Sequence, residues 1–218
     1  QGETVAIAYF GDFDDSVLLK STDNGNTWTS TVFLDFPVDK YAIDDGIDLD
    51  CGYAGRLSNS VVILTEASDH AIEIDGPEGA MMAEFELDSV YVVGATINCL
   101  PAGVDGEIAD YRKGARGVSK NIWCVDFALS SDVELDNNMD SQNYTDGILQ
   151  FENWFIKNPI DNNGNECFGI AIDNLFYDKA SISSTFEQDA YNFTSFVNTT
   201  PLENVLDNEF NWTYYYNH

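Results

Sequence analysis

The sequence predicts an all-β fold, an antiparallel β-sandwich or a barrel-like domain with at most one or two short helices. Three observations favour this class. Apolar and polar residues alternate along many short segments, whereas a helical period of three to four residues is rare. These segments are rich in valine, isoleucine, threonine and aromatic residues, and clusters of Asp, Asn and Gly separate them. Their number, about ten, is typical of sandwiches and barrels.

The alternating segments follow one another along the whole chain. They are residues 3–10, 16–21, 27–34, 59–65, 88–97, 121–129, 148–157, 167–177, 190–197 and 209–217. One short helix is expected over 201–207, because Thr200, Pro201 and Glu203 form a typical helix start. Residues 78–86 fit a helical turn and a strand equally well.

Length and charge bound the classes of protein to which the chain can belong. Its 218 residues predict a single domain over 1–218, with soft boundaries near 44–52 and 131–147. The net charge of −29 argues against nucleic acids and anionic membranes, which both require a positive surface. No apolar run approaches the roughly 20 residues of a membrane helix, so we expect no membrane insertion. The excess of acids indicates either a solvated surface or loops that bind cations.

Several features point to a secreted or cell-surface protein. The chain begins at Gln1, which suggests a processed secreted chain or a fragment. The even number of cysteines favours two disulfides over four buried thiols, and the three connectivities stay open. The cysteines are Cys51, Cys99, Cys124 and Cys167. Four Asn-x-Thr sequons are candidate glycosylation sites: Asn143, Asn192, Asn198 and Asn211.

Residues 21–28, with the sequence STDNGNTW, match the pattern S-x-D-x-G-x-x-W. The matching positions are Ser21, Asp23, Gly25 and Trp28. Over about residues 1–50 the chain resembles sialidase-like Asp-box (BNR) repeat proteins, in which this motif is structural and lies away from the catalytic site. The resemblance implies a β-hairpin at 16–34. The residue types fit a hairpin as well, because Gly25 adopts positive φ at little cost and Asp23 can accept hydrogen bonds across the turn.

The sequence offers no clear catalytic constellation, and we predict a non-enzymatic protein with no catalytic residue. A sialidase needs three arginines that converge on an anionic sugar, but the only arginines here are Arg56, Arg112 and Arg116. A glycoside hydrolase is the activity least at odds with the sequence, since Glu152 beside Trp154, or Glu84 with Glu86, could supply two carboxyl groups. His70 is the only internal histidine, which leaves a serine or cysteine nucleophile without an evident base.

Three acidic loops are candidate calcium sites, because hard cations prefer several oxygen ligands. The candidate ligands are Asp44, Asp48 and Asp50 in the first loop and Asp136, Asn138 and Asp140 in the second. Residues 161–165 form the third loop. None completes an EF-hand pattern, and each is also explained as a solvated turn. We therefore expect no cofactor, or else calcium.

The leading hypothesis is an extracellular structural protein, such as a subunit of a surface filament or cell envelope, that forms homo-oligomers through β-strand pairing. The alternating aromatic residues at 209–217 favour a strand that pairs within the chain or with a neighbouring copy. One alternative is a sialidase-like or glycan-binding module, with glycans as its partners. Another is a calcium-dependent adhesion domain.

Overall fold

The structure is a computed structural model that describes residues 45–50, 53–64, 69–77, 82–94, 99, 107–128, 131–167 and 170–202. It also describes the backbone of three strands nearer the N-terminus. The chain divides into two units, residues 1–43 with 205–218 and residues 44–204.

The first unit contains a three-stranded antiparallel sheet. Strands β1 (Thr4–Ala8), β2 (Asp15–Ser21) and β3 (Thr29–Asp35) lie in the order β1-β2-β3. Strands β2 and β3 are antiparallel where the sequence predicts the Asp-box hairpin. The motif residues Asp23, Gly25 and Trp28 lie outside the described residues, as does the predicted strand 209–217.

The second unit is built from ten parallel strands in two five-stranded sheets. The first parallel sheet has the order β12-β10-β8-β6-β4 and consists of β4 (Asp45–Leu49), β6 (His70–Asp75), β8 (Glu107–Arg112), β10 (Val133–Leu135) and β12 (Phe176–Asp178). The second parallel sheet has the order β13-β11-β9-β7-β5 and consists of β5 (Arg56–Ile63), β7 (Phe85–Val93), β9 (Gly117–Val125), β11 (Leu149–Lys157) and β13 (Thr194–Phe196).

Successive strands of this unit alternate between the two sheets. Strand β4 belongs to the first parallel sheet, β5 to the second and β6 to the first again, and this alternation continues to β13. The unit shares parallel strands joined by crossovers with Rossmann-like α/β folds. Here, however, each crossover between neighbours of one sheet includes a strand of the other sheet. The winding is therefore that of a parallel β-helix.

Helices occur only in the later connections of the described chain. Helix α1 (Asn138–Thr145) lies between β10 and β11, and α2 (Phe186–Phe193) lies between β12 and β13. A short 3₁₀ helix spans Ile172–Asn174. Helix α1 begins with a capping box, in which the Asn137 side chain accepts a hydrogen bond from the backbone and Asp140 reaches back to the Asn137 N–H.

These parallel sheets show that the predicted antiparallel β-sandwich or barrel is wrong. Alternation of apolar and polar residues marks the two faces of a strand, but it is the same for parallel and antiparallel partners. The parallel sheets also conflict with the assignment as a filament subunit, whereas self-association through β-strand pairing stays a prediction. Strand β1 pairs with β2 of the same chain.

Four strands of the second parallel sheet bend at the same level. Asn59, Ser89, Asn121 and Asn153 all have positive φ, between 54° and 60°, and lie at equivalent positions of β5, β7, β9 and β11. Asparagine enters this left-handed conformation more readily than most residues, which explains three of the four. A side-chain hydrogen bond links two of these strands, since Asn153 Nδ2 of β11 donates to Asn121 Oδ1 of β9 at 3.2 Å.

One apolar core extends through both parallel sheets. Rows of residues in register supply it, for example Ile72, Ala109, Val133 and Phe176 in the first parallel sheet, all 0–1% exposed. Helix α2 adds Phe186 to the same core. This packed interior keeps the sheets rigid, so polar side chains that share a level on adjacent strands are held at fixed spacing.

Candidate metal centre

A row of carboxylates runs across the first parallel sheet. Asp48, Glu73, Asp110 and Glu134 lie in register on β4, β6, β8 and β10, so their side chains share one face. Adjacent strands are about 4.8 Å apart, which brings like charges close together. We call these four residues the carboxylate row.

A second group of acids surrounds His70 near the beginning of the same strands. His70 Nδ1 lies 2.6 Å from Asp45 Oδ1, and Nε2 lies 3.2 Å from Glu107 Oε2. Burial by itself would lower the pKa of His70. The hydrogen bonds with Glu107 and Asp45 and the charge of Asp69 outweigh burial and raise this pKa to about 9. His70 is therefore an imidazolium at neutral pH and supplies a positive charge to its neighbours.

Three further cations contact acids of this sheet. Arg112 bonds to Glu73 and, at 3.0 Å, to Asp75, and Lys113 also bonds to Asp75. Lys179, which directly follows β12, contacts Glu134. The carboxylate row is thus partly neutralised at Glu73 and Glu134.

Three carboxylates converge between β8 and β10. Ligand atoms of Glu107, Asp132 and Glu134 all lie within 4.8 Å of one another. Two oxygens bound to one Ca²⁺ at about 2.4 Å can be at most about 4.8 Å apart, so this spacing fits a common ion. We call these three residues the carboxylate cluster. Asp45, His70 and Glu73 also converge within 4.8 Å, but there the imidazolium already takes the place of a cation.

Asp110 lies beside the carboxylate cluster and is 6% exposed. It is in register with Glu134, and its Oδ1 has no hydrogen-bond partner within the described part of the chain. Its Oδ2 lies 3.8 Å from Arg112 Nε, which is beyond hydrogen-bond distance. Burial, followed by the charge of Asp136, raises the pKa of Asp110 to about 7. A buried carboxyl group without a donor is costly and requires a compensating partner.

Two residues of the carboxylate cluster have opposite electrostatic environments. Burial, together with the charges of Glu134 and Glu107, raises the pKa of Asp132 to about 7. The hydrogen bond from His70 lowers the pKa of Glu107 in spite of its burial. Negative charge is therefore least compensated at Asp132 and Asp110.

The candidate calcium ligands of the first two acidic loops lie in different surroundings. Asp48 and Asp50 are exposed at β4, and Asp44 lies outside the described residues. Register with Glu73 places Asp48 in the carboxylate row, and partial burial together with the charges of Asp50 and Asp45 raises its pKa. Asp136 is exposed, with Oδ1 4.0 Å from Lys179 Nζ.

Asn138 and Asp140 have structural roles at helix α1. Asp140 is buried, and its Oδ1 accepts hydrogen bonds from the backbone N–H groups of Gly114 at 2.7 Å and Ala115 at 2.8 Å. Asn138 Oδ1 accepts from both the backbone and the hydroxyl of Ser181. Both side chains are therefore engaged within the fold.

The loop 161–165 is a self-contained polar turn. Asp161 Oδ1 accepts from the backbone N–H groups of Asn163 and Asn165, each at 2.8 Å. Hydrogen bonds from Asn165 lower the pKa of Asp161 to about 2. The amides of its own loop therefore occupy this carboxylate.

One of the two expected disulfides is present. Cys99 and Cys167 are bonded, whereas Cys124 is a buried free thiol of β9 and Cys51 lies outside the described residues. The four sequons also differ. Asn143 is buried and donates to Gly114 O and Ala115 O at 3.0 Å, so the folded chain has no room for a glycan there. Asn192 and Asn198 are exposed, and Asn211 lies outside the described residues.

The three candidate arginines contact different sets of acids. Arg56 contacts Glu86 and Asp88, Arg112 contacts Glu73 and Asp75, and Arg116 Nη2 lies 3.5 Å from Glu84 Oε1. Each arginine thus has an acidic partner. Glu152 is exposed, while Trp154, two residues further along β11, is fully buried in the core.

An aromatic row lies in the second parallel sheet. Tyr91, Trp123 and Phe155 are in register and stack, with ring centroids 5.7 Å and 4.3 Å apart. A sugar would have to stack on a ring face, but both faces of the Trp123 ring lie against the rings of Tyr91 and Phe155. The row therefore has the geometry of a structural ladder.

Comparisons with known protein families, with curated proteins and with solved structures find no match to this chain. Neither described helix has the length and apolar character needed to cross a bilayer. The sequence did not single out the three cluster residues or Lys179. One sequence pattern could have pointed to them, namely an acid at or next to the first residue of neighbouring strands of the sheet. Glu107 begins β8, and Asp132 directly precedes β10.

Proposed function

We propose that this chain is an exported calcium-binding domain that acts in adhesion or binding, with Glu107, Asp132 and Glu134 as the protein ligands of the ion. The observation that carries the proposal is the convergence of these carboxylates within 4.8 Å on two adjacent parallel strands. Carboxylate oxygens are the ligands that Ca²⁺ prefers, and three of them leave positions that water can fill.

The charge balance around the carboxylate cluster supports a divalent ion. Asp110 adds a fourth carboxyl group beside Glu107, Asp132 and Glu134. Lys179 and His70 are the cationic side chains that contact the cluster within the described chain. With all four carboxyl groups ionised, these two cations leave the acids only partly neutralised, and the excess of negative charge favours a divalent cation.

The orphaned oxygen of Asp110 is independent support. Asp110 is more than nine-tenths buried, shares the face of Glu134 and lacks a donor for Oδ1. A cation, or a water molecule bound to it, would satisfy this oxygen. Asp110 is thus suited to hold the ion through a bridging water molecule.

The setting outside the cell fits this chemistry. The Cys99–Cys167 disulfide is compatible with an oxidising compartment, where such bonds persist. Extracellular calcium modules bind with dissociation constants of about 10⁻⁴–10⁻³ M, which suits a site where Glu107 and Asp132 are partly exposed. The net charge of −29 adds long-range attraction for cations.

The test is calcium titration of the full chain after treatment with EDTA, followed by calorimetry and thermal unfolding. We expect one ion per chain and a rise in Tm of about 5–10 °C at saturation, because an ion that binds only the folded state stabilises it. Asp132→Asn and Glu134→Gln should each weaken binding at least about tenfold.

The matched control is Glu152→Gln, which removes one negative charge from an exposed position of the other parallel sheet. It should bind calcium like the unmodified chain. The proposal fails if the unmodified chain binds no calcium at about 10 mM, well above the dissociation constants of extracellular modules. It also fails if Glu152→Gln weakens binding as much as Asp132→Asn does.

A further inference from the structure

We infer that Lys179 is a tethered competitor of the cation: its ammonium group occupies Glu134 in the cation-free protein and leaves when the ion binds. This inference rests on the proposed function, because it concerns the same carboxylate cluster. It assigns to Lys179 a role in setting the affinity of the site and the threshold at which the ion binds.

The first support is the position of the ammonium group. Lys179 Nζ contacts Glu134 Oε2, and the Glu134 side chain is only 5% exposed. The same ammonium interacts electrostatically with Glu107, Asp110 and Asp132. A single lysine thus faces every carboxyl group that the ion would use.

The second support is the way in which the lysine is attached. Its backbone N–H donates to Leu135 O at 3.0 Å, which anchors the residue beside β10. The Lys179 side chain is nevertheless 41% exposed, so its long stem has a route into solvent. The backbone stays fixed while the ammonium group can leave.

The third support is mutual exclusion. An ion bound to Glu134 at about 2.4 Å would place two positive charges within a few ångströms of Nζ, and like charges at that distance repel strongly. Other sites for the ammonium group exist, since Asp136 Oδ1 is 4.0 Å away and exposed. Movement of Lys179 toward Asp136 or into water therefore relieves the repulsion at little cost.

The experiment compares calcium binding of the full chain with that of Lys179→Met and Lys179→Arg. Lys179→Met removes the competing charge and should tighten calcium binding about tenfold, which corresponds to about 1.4 kcal/mol. Lys179→Arg retains the charge and should not tighten binding.

The matched control is Lys157→Met, which removes one positive charge at a pair with Asp126 in the second parallel sheet. Its affinity for calcium should stay within about twofold of the unmodified chain, as expected for a charge that contacts no ligand of the ion. Thermal unfolding gives a second readout. Lys179→Met should lower the Tm in EDTA, where the lysine neutralises Glu134, and should match the unmodified chain at saturating calcium.

The outcomes separate this inference from the proposed function. If the unmodified chain and Lys179→Met both fail to bind calcium, the proposed function fails. If the unmodified chain binds calcium but Lys179→Met binds no more tightly than Lys157→Met, only the competitor role fails. If Lys179→Met does not fold in EDTA, Lys179→Gln under the same titration decides the question, and unchanged affinity there rejects the role of Lys179.

Discussion

His70 illustrates how one residue determines the charge of its surroundings. It is only 8% exposed, and carboxylates lie on both sides of its ring. Its pKa of about 9 means that the folded protein holds a proton that the unfolded chain, with a histidine pKa near 6.5, releases earlier. The stability due to this proton is fully present below about pH 6.5 and is lost as the pH rises through about 9.

The difference in free energy of unfolding between His70→Gln and the unmodified chain should therefore become smaller as the pH rises. In EDTA, we expect the variant to be less stable by about 2–3 kcal/mol at pH 6 and by much less at pH 10. Urea unfolding of both proteins across this pH range measures the difference. A gap that stays constant from pH 6 to pH 10 would show that the imidazolium does not contribute its charge.

Asp140 organises two segments of backbone at once. It caps helix α1 and accepts hydrogen bonds from Gly114 and Ala115. Asp140→Ala would leave these buried N–H groups without an acceptor and should lower the free energy of unfolding by about 2–4 kcal/mol. Asp146→Ala, which removes an exposed acid at the other end of α1, should cost less than about 0.5 kcal/mol. Chemical denaturation checks both, and equal costs would contradict the role of Asp140.

Among the secondary-structure elements, the main shared feature is the bend in strands β5, β7, β9 and β11. At Asn121 the backbone has φ of 54°, and the side chain donates to Asp88 Oδ1 at 2.7 Å. A residue with a Cβ atom pays about 1 kcal/mol or more for this conformation, and glycine does not.

Replacement of Asn121 by two small residues separates the backbone from the side chain. Both Asn121→Ala and Asn121→Gly lose the bond to Asp88, but only alanine keeps a Cβ atom. We expect the alanine variant to be less stable than the glycine variant by about 1 kcal/mol, which urea unfolding would measure. A glycine variant that is the less stable of the two would mean that left-handed strain does not matter at this bend.

The same bend corresponds to a weak repeat in the sequence, which the predicted antiparallel fold did not take into account. The hexapeptides SNSVVI, DSVYVV, KNIWCV and ENWFIK begin at residues 58, 88, 120 and 152. They recur about every 30 residues, a period typical of solenoids. Each has Asn or Ser at its second position, and alternating large residues follow. The repeat is weak because only the bend and the inward positions are constrained.

Some elements of the second parallel sheet were found from local pattern, and others were not. The alternating segments at 59–65 and 148–157 overlap β5 and β11. Helix α2 lies partly in the segment 190–197 predicted as a strand, because its apolar residues Phe186, Ala190 and Phe193 pack on the core at helical spacing. Strand β10 has only three residues, too few for a pattern.

At the scale of the whole molecule, the disulfide joins parts of the chain that are far apart in sequence. Cys99 follows β7 and Cys167 follows β11, with a sequence separation of 68 between these positions. Closing a loop of this length restricts the unfolded chain, which stabilises the folded state by about 4 kcal/mol in the chain-entropy model.

Removal of this bridge should lower the stability of the molecule without changing the calcium ligands. We expect Cys99→Ser with Cys167→Ser to lose about 3–4 kcal/mol in urea unfolding, and reduction of the unmodified chain to have a similar effect. The single variant Cys99→Ser serves as the control. It breaks the same bond, so its loss of stability should be similar to that of the double variant. An unchanged midpoint in the double variant would show that the bridge contributes nothing to stability.

Local residue patterns were sufficient to predict a strongly acidic chain rich in strands, with a disulfide and with acids suited to a hard cation. They could not establish the direction of the strands or which acids meet, because alternation records the faces of a strand and says nothing about its partner. Glu107 and Glu134 are separated by strand β9, which belongs to the other parallel sheet, and become neighbours only through the winding of the chain. Register between parallel strands, set by burial of the common core, is what brings them together.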